Sequence, residues 1–429
     1  MRFDLLHPSD QLVMIMERIY SYGMTTTSGG NLSIRDADGD IWITPAGIDK
    51  GTLTAKDIMQ VKPDGTIIGK HKPSSELPFH QSIYACRPDV GAIVHAHPPA
   101  LVSFSIVRKI PDTGLIPNAN IICGNVGIAE YGLPGSEDLG AKIAAVLKRG
   151  INTVLLENHG TVVVGKDLFK AFMAFETLEF CARIEIEANR IGKPRALTPK
   201  HLEISKKKQH VNMDELTPER YCSEERAARK EMCELIHRAY DQKLFTSTQG
   251  TFSTRLSDGS FIITPYAKDR KYLEVDDIVR IEGNKKEAGK LPSRSVLLHK
   301  KIYEKHPHIN SVIIAHPPSI MAFAVTGAEF DSRTIPESYI LLRNIPKLPF
   351  GSSFMQPGMA ADIFTESNPI AIVENDCVIV TGNTLLNAFD RLEVLEYSAK
   401  ALIYSTNLGP VVKIDDEKIR DIERAFKLP

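Results

Sequence analysis

Gly39-Asp40-Ile41-Trp42-Ile43-Thr44-Pro45 recurs along the chain as Gly259-Ser260-Phe261-Ile262-Ile263-Thr264-Pro265, an offset of 220 residues (Thr44 against Thr264). Two further stretches repeat at nearly the same distance. Ala96-His97-Pro98-Pro99 returns as Ala315-His316-Pro317-Pro318 after 219 residues, and Glu157-Asn158-His159 returns as Glu374-Asn375-Asp376 after 217. The order is kept and the drift is small, so one unit is written twice within 429 residues. A period this long lies far beyond solenoid repeats and signals duplication of a whole domain. Domains are therefore expected at 1–210 and 211–429. They are joined through Ser205–Glu219, a polar, lysine-rich stretch ending in Thr217-Pro218.

Within each copy strand and helix patterns alternate. In the first, Asp10–Tyr22 reads as a helix capped by Ser9 and stopped by Gly23. Ile41–Thr44 and Gly91–Ala96 read as strands, and Ser136–Arg149 as a helix with Gly150 after it. Thr153–Leu156 and Thr161–Val164 flank the turn Glu157–Gly160 as a hairpin. Leu168, Phe172, Phe175, Leu178 and Ala182 then fall on one helical stripe. The fold class is α/β, with a sheet core in each half covered by helices.

Composition narrows the function. The chain is 43% hydrophobic and 24% charged, with a formal charge of −1, which is ordinary for a globular protein and leaves no electrostatic footprint for nucleic acid or an anionic membrane. The lysine runs Lys206–Lys208 and Lys285–Lys286 sit among loop-like residues and read as solvated linker. Six cysteines without a C-x-x-C pair argue against a disulfide framework or a thiolate zinc site and suit a reducing cytoplasm. The N-terminal residues have no charged-then-apolar signal pattern. The longest apolar stretches, Val94–Val107 and Val312–Val325, are interrupted by His-Pro-Pro, so no membrane span is expected.

The chemistry concentrates in the first copy. His95 and His97 stand two apart in a strand-like run, where alternate residues share a face. H-x-H alone is a weak signal. His159 stands at the hairpin tip before Gly160, whose backbone freedom lets a side chain turn inward, and is either a turn histidine bonded to its own backbone or a third ligand. Three neutral imidazoles and an open position make the layout of a catalytic zinc site. Lys72-Pro73-Ser74-Ser75-Glu76 precedes a helix running to about Arg87. These residues read either as helix-starting chemistry or as a general acid/base, Glu76, with Ser74 and Ser75 donating to an anion. Ser28-Gly29-Gly30-Asn31 and Pro45-Ala46-Gly47 are tight loops, either plain turns or backbone donors to a phosphate.

The second copy acts as a control. It keeps Thr264-Pro265, His299 for His80, and the Ala-His-Pro-Pro run. It replaces His95 by Ile314, His159 by Asp376, Glu76 by Ser295, Asn31 by Thr251 and Gly47 by Ala267, retaining only His316 for His97. Joint loss of residues that share a job explains this better than unrelated structural drift.

Gly29-Gly30-Asn31, Ile43-Thr44-Pro45-Ala46-Gly47, Pro73-Ser74-Ser75-Glu76, His95-Ala96-His97 and Asn158-His159-Gly160 together resemble, in order, the class II aldolase/adducin family, and the likeness extends over both halves. The resemblance implies two tandem three-layer α/β/α domains, each with a mixed, mostly antiparallel central sheet. It implies Zn2+, or Mn2+, Fe2+ or Co2+, on His95, His97 and His159. Glu76 is then the acid/base, with a substrate phosphate on Asn31, Gly47, Ser74 and Ser75. The implied reaction is aldol cleavage of a small phosphorylated sugar of the ketose 1-phosphate type through an enediolate. The same chemistry serves epimerases, decarboxylases and dehydratases. A non-catalytic, adducin-like interaction module is the alternative.

Two departures from the family pattern stand out. Ala46 replaces a hydroxyl residue, removing one phosphate contact. The tyrosine that a neighbouring subunit lends in a ring of four corresponds to Tyr131, and the second copy has Phe350 there. A homodimer of tandem chains forming a pseudo-tetrameric ring would set Phe350, not Tyr131, against each intact site.

Overall fold

The computed structural model describes residues 2–428 and parts into two compact units, residues 1–113 with 118–183, and residues 114–117 with 184–429. The first unit is built on eight strands: β1 (Asn31–Arg35), β2 (Ile41–Ile43), β3 (Met59–Val61), β4 (Ile67–Ile68), β5 (Ala92–Ala96), β6 (Val126–Ala129), β7 (Thr153–Leu156) and β8 (Thr161–Gly165). Their order across the sheet is β4-β3-β2-β1-β5-β8-β7-β6. Every pairing is antiparallel except β6 with β7, which gives the mixed, mostly antiparallel sheet expected.

Helices cover both faces. On one, the Leu77–Cys86 and Glu137–Leu147 helices bring Phe79, Ile83, Leu139 and Ile143 onto Ile41, Ile43, Ile93 and Val162. Across the sheet the Pro8–Ser21 helix packs on β1 and β2, and Arg18 lies over the ring of Phe172 from the Leu168–Ile191 helix, 4.6 Å from its centroid. The apolar stripe expected at Phe172, Phe175 and Leu178 is fully buried.

The first helix starts differently from the expectation. Pro8 occupies its first turn and His7 is the cap, with Nδ1 accepting the Ser9 backbone N–H at 3.3 Å, so Ser9 lies inside the helix. Gly23 ends the helix in the left-handed region, at φ +68°. Ser136 caps the Glu137–Leu147 helix as expected, accepting from Leu139 N–H.

The second unit repeats the sheet as β10 (Thr251–Arg255), β11 (Phe261–Ile263), β12 (Val279–Glu282), β13 (Lys285–Glu287), β14 (Ser311–Ala315), β15 (Lys347–Leu348), β16 (Ile370–Val373) and β17 (Cys377–Gly382). An added edge strand, β9 (Asp214–Leu216), pairs parallel with β13. The order is β15-β16-β17-β14-β10-β11-β12-β13-β9, the first sheet's order with β9 appended. Lys285 and Lys286, read above as linker, are therefore strand residues, and Lys286 bonds Glu215 and the carbonyl of Lys290. None of the six cysteines forms a disulfide, and no helix among the described residues is long and apolar enough to cross a membrane.

Candidate metal centre

Three imidazoles converge at one end of the first sheet. His95, on β5, shares the face of Ile93 and meets the Phe79 ring edge-on at 5.5 Å. His97 follows one residue beyond the strand, and His159 comes from the β7–β8 turn. The ring centroids lie 4.8, 5.0 and 5.0 Å apart, and one nitrogen of each falls within 4.8 Å of the others.

The turn achieves this by a route the sequence reading did not foresee. Asn158, not Gly160, takes the left-handed conformation, at φ +53°. Gly160 is needed for closeness, since a Cβ there would stand 2.6 Å from the Ala96 carbonyl and 2.6 Å from Cδ2 of His97. Gly29 is similar, a Cβ there meeting His97 Nδ1 at 2.9 Å. Gly29→Ala is expected to push the His97 ring aside and weaken zinc binding by about 10–100-fold, the range for residues that orient a ligand. Competition with a chromophoric chelator measures this, and an unchanged Kd would remove His97 from the ligand set.

Protonation favours ligation. His95 Nδ1 lies 3.1 Å from the Thr161 carbonyl and donates to it, which leaves the Nε2 lone pair facing the cluster. Burial, together with the neighbouring His95, pushes His97 down to about 3 and His159 down to about 4, so both are neutral at physiological pH. Nε2 of His95 and of His97 and Oε1 of Glu76 are buried without a hydrogen-bond partner. Orphaned acceptors converging in one buried spot are costly unless a cation completes them. The donor set suits zinc or a similar divalent ion.

Glu76 stands beside the imidazoles, Oε2 at 3.2 Å from His95 Nε2 and Oε1 at 3.7 Å from His159 Nε2. It is the residue before the Leu77–Cys86 helix, yet its side chain makes no capping bond, so helix-starting chemistry does not account for it. Burial by itself would raise its carboxyl. Interaction with the neighbouring His95 imidazole and the hydrogen bond from Asn31 outweigh this and hold it well below the usual carboxylate range.

Asn31 is buried. Its Nδ2 donates to Glu76 Oε2 at 2.7 Å and its Oδ1 accepts from His80 Nε2 at 2.5 Å. His80 Nδ1 then meets Ser33 Oγ at 2.7 Å, and Ser33 meets the Tyr84 hydroxyl at 2.8 Å. Asn31 thus orients Glu76, a role the sequence reading missed, and only its remaining N–H is left for a phosphate.

The other anticipated anion residues come together on one side. A β-bridge of Pro45 with Pro73 holds the Ala46-Gly47 loop against Ser74-Ser75, through Ala46 N–H to the Lys72 carbonyl and Ser74 N–H to the Thr44 carbonyl. Gly47 and Ser75 are exposed there, Ser74 is buried, and Gly47 has φ +67°. Lys50, also missed, fixes this loop from beneath, its buried Nζ donating to the Pro45 carbonyl at 2.7 Å. The repeat carries the signal that could have found it, because Arg270 stands at the matching position and donates to the Pro265 carbonyl.

Comparison with known proteins identifies the family. The family model of the class II aldolase and adducin N-terminal domain matches twice, over residues 10–186 and 230–403. An L-fuculose phosphate aldolase from Methanocaldococcus jannaschii is 35% identical over 176 residues, 41% of this chain and 94% of that protein. A 5-deoxy-D-ribulose 1-phosphate aldolase from Bacillus thuringiensis serovar kurstaki is 33% identical over 204 residues, 46% of this chain and 93% of that one. A 3-oxo-tetronate 4-phosphate decarboxylase from Pectobacterium atrosepticum is 35% identical over 178 residues, 41% of this chain and 81% of that one. A solved L-fuculose 1-phosphate aldolase is 31% identical, with a TM-score of 0.42, covering 46% of this chain and 93% of that one. Matched twice along its length, this chain belongs to the class II aldolase/adducin family and carries its domain in tandem.

Proposed function

We propose that the first unit is a metal-dependent aldehyde-lyase, holding one divalent ion, zinc in the first instance, on His95, His97 and His159 and cleaving a small ketose 1-phosphate. The observation that carries this reading is the convergence of three imidazoles, one buried and two half-buried, beside an oriented carboxylate. When bound, the ion supplies Lewis-acid stabilisation of negative charge on substrate oxygens. Glu76, held by Asn31, moves the proton at the reacting carbon. Gly47, Ser74 and Ser75 offer backbone and hydroxyl donors to the phosphate at the start of the Leu77–Cys86 helix.

Decarboxylation is the second reading, supported by the phosphorylated-acid decarboxylases among the relatives. It needs the same ion but no proton donor lent by a neighbour. Retention of all three histidines and Glu76 argues against an interaction module without chemistry. The pairing of two chains into a ring also stays a proposal. Tyr131 and Leu133, exposed after β6, are available to a second copy.

Native mass spectrometry with metal analysis tests these points together. Wild type is expected as a dimer with one zinc per chain, and His159→Ala without zinc. Ketose 1-phosphates should then yield dihydroxyacetone phosphate. No zinc in the wild-type protein, even after adding the ion, would remove the lyase reading.

A further inference from the structure

The second unit keeps the fold around the position that the histidines hold in the first, but other groups fill it. By the repeat, His316 stands for His97, Asp376 for His159, Ile314 for His95 and Ser295 for Glu76. Asp376 is 5% exposed, with Oδ2 accepting from Ser353 Oγ at 2.8 Å. The run Lys206–Lys208, expected as solvated linker, does not stay in solvent. Lys206 and Lys207 do, but Lys208 turns inward and sets Nζ 3.5 Å from Asp376 Oδ1, with its side chain 24% exposed. Nζ also lies 5.3 Å from the centre of the Phe354 ring, and the Lys208 carbonyl accepts from Arg294 at 3.1 Å. Two residues on, His210 meets Tyr266 edge-on at 4.4 Å, and Arg294 covers the same ring at 5.1 Å. The chain then enters β9.

Charge explains the exchange. In the first unit neutral imidazoles and the Glu76 carboxylate leave a position for a divalent cation. In the second, the Glu76 carboxylate is lost to Ser295, one imidazole is lost to Ile314, and another becomes the Asp376 carboxylate. What remains is one buried negative charge, which calls for one positive charge. The charge of Lys208 and the hydrogen bond from Ser353 hold the Asp376 carboxyl below its ordinary range against burial. A glycine beside the ligand is abandoned too, since Gln249 stands where Gly29 leaves room for His97.

We propose that Lys208 is a built-in cation of the second unit. Its ammonium takes over the balancing charge that a metal supplies in the first unit, closes the relict site to ions, and fastens the 206–210 segment to the second sheet. The proposal stands on the second unit's own contacts and does not depend on what the first unit catalyses.

A buried ion pair that loses one partner is strongly destabilised, whereas removing both partners together is close to neutral. In full-length protein, Lys208→Met is expected to lower the unfolding midpoint by roughly 5–10 °C, and adding Asp376→Asn should recover most of that loss. Acylation with an N-hydroxysuccinimide ester, read by peptide mass spectrometry, gives a readout that does not require Lys208→Met to fold. In wild type Lys208 should label several-fold more slowly than Lys206 and Lys207, and in Asp376→Asn that protection should disappear. Additive losses in the double variant, Lys208 labelling as fast as Lys206, or a second zinc per chain that leaves with His316→Ala would each overturn the proposal.

Discussion

Glu76→Gln is expected to keep its metal and lose turnover by about 10²–10⁴-fold, the usual contribution of a positioned acid or base. The substitution preserves shape, and the amide oxygen can still accept from Asn31 Nδ2, which lies 2.7 Å from the carboxylate. The three imidazoles keep their own supports, among them the Thr161 carbonyl behind His95. What disappears is the group able to take up and return a proton beside the cluster. Zinc content and kcat on a cleaved ketose 1-phosphate separate the possibilities. A fall in kcat with full zinc supports proton transfer by Glu76. A raised KM at unchanged kcat would reduce Glu76 to a binding group, and loss of zinc would make it a ligand.

Local spacing carried much of this site. His95 and His97 face one place because strand residues alternate with period two, and the hairpin around His159 is closed by its own turn residues. The duplication supplied the rest, since a set of residues kept in both copies, His97 aside, builds the same buried framework in each. Ser33, His80 and Tyr84 form a buried relay in the first unit, and Ser253, His299 and Tyr303 form it again in the second. What could not be read were contacts between residues far apart in sequence. Asn31 reaches Glu76 across 45 positions and His80 across 49, through the register of β1 on β5 and the seating of the Leu77–Cys86 helix. Lys208 and Asp376 are 168 apart, and a lysine run in a polar stretch gave no hint that one ammonium would be turned inward. Gly160 was assigned the wrong duty for a related reason. A glycine pattern does not distinguish a left-handed backbone from a close approach, and only the neighbouring His97 decides between them.

In metal-free protein the first unit should lose stability steeply as pH falls from about 6.5 towards 4. Burial pushes the His80 imidazole down to about 3, and His97 and His159 sit at about 3 and about 4. The unfolded chain takes up these protons below about 6.5 while the folded one does not, so protonation favours unfolding and the loss grows down to the folded values. His80, fully buried, contributes on its own a slope of about 1.4 kcal/mol per pH unit. His97 and His159 add to it less fully, because solvent reaches them in part. Glu76, held below the carboxylate range, keeps its charge through this window and does not offset the loss. The second unit differs, since Glu396 is half-buried, accepts from the N–H groups of Ser319 and Ile320, and is raised by desolvation to about 7. Its folded form gains a proton before the unfolded one does, so it opposes the effect of His299 and His316 as pH falls through 7 to about 4.5. Trp42, the single tryptophan, lies on β2 and reports on the first unit alone. Urea unfolding followed by its fluorescence should show the slope in metal-free protein. Saturating zinc should raise stability throughout this window without removing the slope, because the ion binds imidazoles that the folded state already holds neutral. A flat profile without metal would mean that these imidazoles are not held neutral, and the zinc site would lose its electrostatic basis.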